Sequence, residues 1–327
     1  MKKDIKINFI NDLENQDASL WSSIQVILGP RQVGKTTGVQ QFLSSQVKTP
    51  SRYLTADGQI SKSGQWLELQ WLQFQQESPD GLLVIDEIQK VENWSEIVKK
   101  LWDQQAQSKK KLRVIVLGSS SLEIQKGLSE SLTGRFFLHR VHQWNLSESA
   151  RAYGLDFEEY LKYGGYPGSY ELRKDRQAWL SYVKNSIIET VIGRDILTLS
   201  RVKSPALFRQ CFDLACSYGA QEISYTKLLG QLQDRGNVDL VKHYLELFEG
   251  AFLLKQLSRY SAKKTLSRAS SPKILPLCPA LYSVTLDAEY SLAERGRAVE
   301  LAVGAARVRL RGQRYSWRAA APEVEYV

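Results

Sequence analysis

The stretch ILGPRQVGKTTGVQ (residues 27–40) is a glycine-bracketed turn between an aliphatic run and a helical pattern. Gly29 to Thr36 satisfy the complete G-x-x-x-x-G-K-[ST] pattern. In this pattern the glycines let successive backbone N–H groups converge on phosphate, and the following helix contributes its N-terminal dipole. The strand before the turn and the helix after it are the context that the pattern requires. The stretch therefore predicts a phosphate-binding loop.

Two side chains of this loop have specific predicted roles. Lys35 is placed to reach the β- and γ-phosphates of a bound nucleotide, and the Thr36 hydroxyl is placed to ligate Mg²⁺. ATP and Mg²⁺ are the predicted cofactors. The predicted nucleotide-binding set is the loop with the first helical residues: Gly29, Pro30, Arg31, Gln32, Val33, Gly34, Lys35, Thr36 and Thr37.

The run GLLVIDE (81–87) predicts a buried strand that ends in two carboxylates. Asp86 would lie at the C-terminal edge of the sheet, where Mg²⁺ binds. Glu87 would polarise a water molecule for attack on the γ-phosphate. The alternative is a solvated acidic pair that only terminates a strand.

The run LRVIVLGSS (112–120) predicts a further strand with a polar tip. Ser119 is the preferred candidate among its serines for a contact with the γ-phosphate or the attacking water. The alternative is that these serines cap the helix that begins near Leu122.

Short aliphatic runs alternate with helical patterns through residues 20–145. The predicted strands are 24–28, 51–57, 81–87, 112–120 and 135–144. Near-continuous aliphatic strands separated by helices indicate a parallel sheet covered on both faces. The predicted fold class is therefore α/β, a P-loop nucleoside triphosphatase domain over residues 1–149.

The chain changes character after about Ser149. Residues 150–204 predict a helical lid or linker, and residues 205–264 predict three short helices followed by a strand pair, the pattern of a winged helix. The Ser/Pro-rich stretch 265–277 resembles a wing or linker. Residues 265–327 form a basic C-terminal segment.

Composition excludes several classes of protein. Hydrophobic residues make up 43% and charged residues 24% of the 327, which is ordinary for a soluble globular chain. No apolar run approaches the ~20 residues of a membrane helix, and no signal peptide follows the first lysines. The cysteines (Cys211, Cys216 and Cys278) lack metal spacing and predict reduced thiols. A cytoplasmic protein without membrane contact is expected.

The positive charge is concentrated near the C-terminus. The formal net charge is +9, and the residues from Lys255 onward hold thirteen basic and six acidic side chains. A localised basic region is consistent with nucleic-acid binding. The alternative is a solvated basic face.

The order of motifs resembles the AAA+ ATPases. More narrowly, GPRQVGKT, IDEIQ, GSS, LTGR, GGYP and ETVIGRDI occur in the order found in a prokaryotic AAA-type family, over roughly residues 20–285. This family carries a winged-helix and nuclease-like C-terminal part. The resemblance implies that Arg135, just before the fifth strand, acts as a finger toward a neighbouring subunit's γ-phosphate. The alternative for Arg135 is an ion pair within its own subunit. Arg194 and Asp195 also match the motif, and an internal salt bridge explains them equally well.

The C-terminal segment resembles the start of a nuclease-like fold. Residues 292–310 predict a helix running into a strand, and 313–327 end on a second strand. The resemblance implies that Glu300 and Glu325 occupy metal-ligand positions. The strand that would carry a further carboxylate and a lysine does not follow, so the fold is expected to be truncated and without nuclease activity. Glu300 could equally be a helix-surface acid.

Two functions fit these observations. The first is a Mg²⁺-dependent ATPase coupled to DNA binding, with Tyr225, Lys227, Arg235 and Lys242 near the predicted recognition helix. The alternative is a nucleotide-dependent signalling switch that acts on a protein partner. A homo-oligomer is expected if Arg135 acts across a subunit boundary.

Overall fold

The computed structural model describes residues 7–15, 18–46, 48–58, 63–108, 110–119, 121–197, 202, 204–232, 236–259, 271–286 and 290–309. The chain divides into two compact units, residues 2–141 and residues 142–327. Among the described residues, no helix is both long enough and apolar enough to cross a membrane.

The first unit is built on a five-stranded sheet whose paired strands all run parallel. The strands are β1 Ile24–Leu28, β2 Ser51–Thr55, β3 Leu82–Asp86, β4 Arg113–Leu117 and β5 Phe136–Arg140. They lie in the order β2-β3-β4-β1-β5. This pairing confirms the predicted parallel sheet. Parallel neighbours can be joined only by crossover connections.

The helices of this unit have one apolar side. They are α1 Asn8–Glu14, α2 Lys35–Ser45, α3 Gly64–Glu77, α4 Trp94–Gln105 and α5 Ser121–Ser131, with 3-10 helices at Ala18–Ser22 and Ile88–Lys90. In α3, Leu67, Trp71 and Phe74 are buried at helical spacing. The sheet residues beneath are equally enclosed: every residue of β1 and β3 is buried. The apolar sides of these helices and the buried residues of the sheet together form the core of the unit.

The second unit begins with helices that match the predicted helical region. They are α6 Leu146–Tyr153, α7 Phe157–Tyr163, a 3-10 helix at Pro167–Leu172 and α8 Arg176–Ser181. After α8 the chain continues through two π-helical segments, Tyr182–Ile188 and Val191–Ile196. Reciprocal capping boxes start α6 (Asn145 with Glu148) and α7 (Asp156 with Glu159), so both start points are encoded locally.

Next come three helices and a small antiparallel sheet. The elements are α9 Pro205–Ser217, β6 Gln221–Glu222, α10 Tyr225–Gln231, α11 Val238–Gly250, β7 Leu254–Leu257 and β8 Lys273–Pro276. The strands lie in the order β6-β8-β7. β8 corrects the interpretation of the whole stretch 265–277 as a wing or linker, because all four β8 residues are buried between two strands.

Two helices end the described part of the chain. α12 covers Pro279–Ser283, and α13 covers Leu292–Val308. A capping box of Ser291 and Glu294 starts α13 at the predicted position. The strands predicted after this helix lie outside the described residues.

Candidate functional site

The predicted phosphate loop connects β1 to α2. Its backbone requires glycine at two positions. A Cβ on Gly29 would lie 2.3 Å from the Val141 carbonyl oxygen, and Gly34 has φ of +85° immediately before the helix begins. Val33 is buried between them and anchors the loop. The residues predicted to bind nucleotide, Gly29 to Thr37, are therefore contiguous in one tight turn at the N-terminus of α2.

Lys35 is held inside this turn. Its side chain is only 7% exposed, and its ammonium donates hydrogen bonds to the carbonyl oxygens of Gly29 at 3.0 Å and Pro30 at 2.6 Å. The arrangement keeps a cation within the concave side of the loop, where phosphate oxygens would offer stronger, charge-assisted bonds.

Asp86 lies at the end of β3 and accepts three hydrogen bonds. The Thr36 hydroxyl donates to Oδ2 at 2.7 Å, and the Tyr53 hydroxyl donates to the same oxygen at 2.5 Å. The backbone N–H of Glu87 donates to Oδ1 at 2.8 Å. Burial, together with the Asp86 carboxylate, raises the pKa of Tyr53 above its ordinary value, so Tyr53 remains a donor.

Glu87 follows in a left-handed backbone conformation, with φ of 55°. Its carboxylate oxygen Oε2 accepts hydrogen bonds from the Ser119 hydroxyl at 2.8 Å and from the Gln89 side-chain amide at 2.6 Å. The Lys90 ammonium lies 3.6 Å from the same oxygen. Ser119 follows β4, the strand between β1 and β3. Its hydroxyl therefore contacts the carboxylate at the tip of the adjacent strand.

Magnesium fits the side chains at this edge of the sheet. The Thr36 hydroxyl and the Asp86 carboxylate are oxygen ligands of the kind Mg²⁺ prefers, and they lie 2.7 Å apart. In the loop beside them, Gly29 packs against the Val141 carbonyl too closely for a Cβ. A metal held by few protein ligands and by substrate phosphates suits Mg²⁺. Thr36 and Asp86 are the residues that would hold it.

Arg135 is paired within its own chain. The guanidinium donates to both carboxylate oxygens of Asp103 in α4, at 2.7 and 2.9 Å. This bond lowers the pKa of Asp103. The structure thus places Arg135 directly before β5, as expected, and in the kind of ion pair that the sequence left open as an alternative.

Three of the four residues predicted near a recognition helix, Tyr225, Lys227 and Lys242, lie on α10 and α11. The Lys227 ammonium is 5.3 Å from the centre of the Tyr218 ring, and the Lys242 ammonium is 5.5 Å from the centre of the Tyr225 ring. Each is a cation–π contact that orients a partly exposed lysine. Arg235, the fourth predicted residue, lies outside the described residues.

Glu300 forms an ion pair with a buried lysine. It lies on α13, and its carboxylate forms an ion pair with Lys273 of β8, whose side chain is 5% exposed. A buried lysine requires such a partner. Its ion pair with Lys273 accounts for Glu300 without a metal. Glu325, the second predicted ligand, lies outside the described residues.

Sequence reasoning missed Tyr53 and Gln89. Gln89 lies two residues after Glu87, so its proximity is a local signal that could have been used. Tyr53 lies on β2, and only the sheet order brings β2 beside β3.

Residues 22–161 match a family model described as an AAA domain, and residues 154–290 match a domain of unknown function. Together with the parallel sheet and phosphate loop, the first match decides the fold. The first unit has a P-loop nucleoside triphosphatase fold, and its sequence is similar to that of an AAA domain. The second match covers much of the helical unit and carries no stated activity.

Two curated relatives are uncharacterised proteins. One, from Methanocaldococcus jannaschii, is 24% identical over 75% of this chain and 59% of its own length. The other, from Haemophilus influenzae, is 23% identical over 73% of this chain and 63% of its own length. This chain therefore spans about three fifths of the relatives it matches.

A solved structure shows the same fold. It is a Walker-type ATPase of Pyrococcus abyssi, 17% identical, with a TM-score of 0.58 over 87% of this chain and 97% of that chain. At this level of sequence identity, the similarity concerns the fold alone.

Proposed function

We propose that this protein binds ATP together with Mg²⁺ and hydrolyses it. One observation supports this above all others: the Thr36 hydroxyl of the phosphate loop is bonded to Asp86 across the sheet edge. The next residue, Glu87, accepts a hydrogen bond from Ser119, which follows β4, the strand between β1 and β3. A phosphate loop alone would serve binding. A metal-binding acid followed by an oriented carboxylate serves cleavage.

Lys35 and the loop amides bind the phosphates. A bound nucleotide would replace the Gly29 and Pro30 carbonyls as partners of the Lys35 ammonium, because anionic oxygens accept stronger bonds. Mg²⁺, held by Thr36 and Asp86, would neutralise charge that develops on the phosphate oxygens.

Glu87 would polarise the attacking water. Because Ser119, Gln89 and Lys90 all contact Oε2, we assign the water to Oε1. The hydroxyl and amide donors fix the rotamer of the carboxylate, which must be held in place to act as a base.

Replacement of Glu87 by glutamine tests this proposal. Glu87→Gln retains size and hydrogen bonding but cannot accept the proton, so turnover should fall on the order of a hundredfold. ATP affinity, measured by calorimetry, should remain near that of the wild type. The exposed Glu92→Gln is the matched control and should leave both unchanged. Lys35→Ala should lose ATP binding. Wild-type turnover in Glu87→Gln would remove Glu87 from the mechanism.

We propose further that the region expected to be a winged-helix domain, residues 205–264, is one, and that its last strand, β8, extends it to residue 276. The order helix, short strand, helix, helix and two strands supports this, as does the antiparallel sheet with β8 between β6 and β7. The two exposed lysines on aromatic rings, Lys227 and Lys242, are suited to phosphate contacts, so DNA is the first candidate partner.

A protein partner is the second candidate, and the exposed face of α11 favours it. Asp239 and Glu246 share that face with Lys242, and Asp239 lies 3.5 Å from the Lys242 ammonium. Two C-terminal arginines are also bound internally: Arg295 pairs with Glu158, and Arg309 pairs with Glu148. These contacts reduce the positive charge that the described residues offer to phosphates.

The ATPase rate with and without duplex DNA, at two salt concentrations, separates the candidates. DNA coupling predicts stimulation at low salt that weakens steeply as salt rises. Lys227→Ala with Lys242→Ala should abolish this stimulation and leave the basal rate unchanged. If duplex DNA neither stimulates the ATPase rate nor gives a mobility shift at low salt, the remaining candidate is a nucleotide-dependent switch that acts on a protein partner.

We propose a cytoplasmic location as part of the same function, and the three free cysteines support it.

A further inference from the structure

Tyr53 is a residue of the site to which the nucleotide chemistry gives no role. It lies on β2, which pairs in parallel with β3 so that Thr55 is opposite Asp86 and Tyr53 is opposite Val84. From this position its hydroxyl reaches Asp86 Oδ2 at 2.5 Å. The side chain is half-buried. A bond this short between a hydroxyl and a carboxylate is charge-assisted, and such bonds are among the strong ones.

The three donors to Asp86 come from three parts of the chain. The Glu87 backbone N–H follows β3, the Thr36 hydroxyl belongs to α2, and the Tyr53 hydroxyl belongs to β2. Thr36 is itself an expected metal ligand, so its contact with Asp86 changes when metal enters. Tyr53 is not a ligand, because a protonated phenol is a poor ligand for Mg²⁺. Its bond to Asp86 can persist while the carboxylate holds the metal.

We propose that the Tyr53 hydroxyl is a positioning group that orients the Asp86 carboxylate for Mg²⁺. This inference rests on the proposed nucleotide chemistry. Hydrogen bonds to a ligating carboxylate set its orientation, and their loss typically weakens metal affinity 10–100-fold. Tyr53 therefore controls how much Mg²⁺ the protein needs to bind nucleotide, while the phosphate loop controls the affinity for the nucleotide itself.

A magnesium titration of nucleotide binding tests the inference without measuring turnover. A fluorescent, non-hydrolysable ATP analogue is bound to the wild type and to Tyr53→Phe, first in EDTA and then at increasing Mg²⁺ concentration. The half-saturating Mg²⁺ concentration should rise about 10–100-fold in Tyr53→Phe. The affinity in EDTA should be unchanged. Direct titration with Mn²⁺, followed by electron paramagnetic resonance, should show the same shift.

Three further variants define the outcome. Asp86→Asn should raise the Mg²⁺ requirement at least as much as Tyr53→Phe does. Tyr290→Phe removes a tyrosine hydroxyl that donates to the Leu161 carbonyl at 2.8 Å, and it should match the wild type. Tyr53→Leu also lacks the hydroxyl and should shift the titration in the same direction if the phenylalanine variant folds poorly.

The failures are distinguishable. If Asp86→Asn shifts the titration and neither Tyr53 variant does, Tyr53 has no positioning role and the inference is overturned. If wild-type binding does not depend on Mg²⁺, the proposed metal site is wrong and the inference falls with it. If the Tyr53 variants lose affinity in EDTA as well, Tyr53 supports the fold of the loop instead of the metal ligand.

Discussion

Single residues in this protein adopt backbone conformations that most side chains avoid. Glu87 has φ of 55° and Gln32, in the phosphate loop, has φ of 57°. Left-handed backbone is unfavourable for such residues because Cβ approaches the neighbouring carbonyl, at a cost of about 1–2 kcal/mol. Strain of this kind concentrates at functional sites. Asn93, Ala220 and Phe252 also have positive φ, so this conformation is not confined to the segments to which the sequence assigns nucleotide chemistry.

His139 makes the stability of the first unit depend on pH. It is buried on β5, its Nε2 lies 2.8 Å from the Gln25 side-chain oxygen, and burial lowers its pKa to about 4. The unfolded chain binds this proton more tightly, with an ordinary pKa near 6.5, so acid favours unfolding. The free energy of unfolding should fall by about 3 kcal/mol as pH drops from about 6.5 to 4.

Chemical denaturation at several pH values checks this prediction. His139→Gln can still donate to Gln25 but cannot be protonated in this range, so it should lose that part of the acid sensitivity. His243→Gln, at an exposed position, should keep the wild-type pH dependence. Equal slopes in the wild type and His139→Gln would contradict the prediction.

At the scale of elements, the Gly-Gly-Tyr-Pro segment after α7 serves packing. A Cβ on Gly165 would lie 2.0 Å from the Trp144 carbonyl oxygen, and one on Gly164 would lie 2.5 Å from the Ala280 backbone nitrogen. The Gly165 N–H also donates to the Cys278 sulfur at 3.0 Å. The two glycines let three backbone segments of the second unit meet without side chains between them. Close packing therefore accounts for this motif.

Gly165→Ala should destabilise the protein by about 1–3 kcal/mol, the usual cost of overpacking a site whose neighbour is backbone. Gly296→Ala is a control for which we expect the opposite change in stability. It lies in α13 with open space around the added methyl, so it should stabilise the helix by about 0.5–1 kcal/mol. Equilibrium unfolding in urea, followed by circular dichroism, measures both. A neutral Gly165→Ala would mean that Trp144 can move aside.

At the scale of the whole molecule, Arg135 is the residue through which we propose that subunits cooperate in ATP hydrolysis. Its pair with Asp103 is exposed to solvent, and such pairs are weak because water and salt screen them. The guanidinium can therefore exchange Asp103 for another anion. We retain the expectation that this anion is the γ-phosphate of a neighbouring subunit.

Arg135→Ala should bind ATP without hydrolysing it if the guanidinium acts across subunits. Asp103→Ala breaks the same ion pair but keeps the guanidinium, so it should still hydrolyse ATP. Mixing Arg135→Ala with Glu87→Gln should restore partial activity, because some interfaces would combine an intact base with an intact arginine. Absence of recovery, with a monomer by light scattering in ATP, would confine Arg135 to its own subunit.

Much of the fold was predictable because its signals are local. The three inner strands, β1, β3 and β4, are short aliphatic runs whose burial left a near-continuous apolar pattern, whereas the edge strands β2 (SRYLT) and β5 (FFLHR) are mixed in composition and only partly buried. Predicted strand ends differ from the observed ends by up to four residues, as in β5, which ends at Arg140 instead of residue 144. A strand ends where the chain changes direction and its pairing with a neighbouring strand stops. The hydrophobic pattern of one strand does not identify that neighbour.

The sequence by itself determined the phosphate loop, since the spacing of Gly29, Gly34 and Lys35 is a local requirement of backbone geometry. It also determined that Asp86 ends a buried strand. Only the tertiary structure decided which side chains meet there. Tyr53 reaches Asp86 because β2 lies beside β3, an order set by long-range packing that no short stretch of sequence encodes.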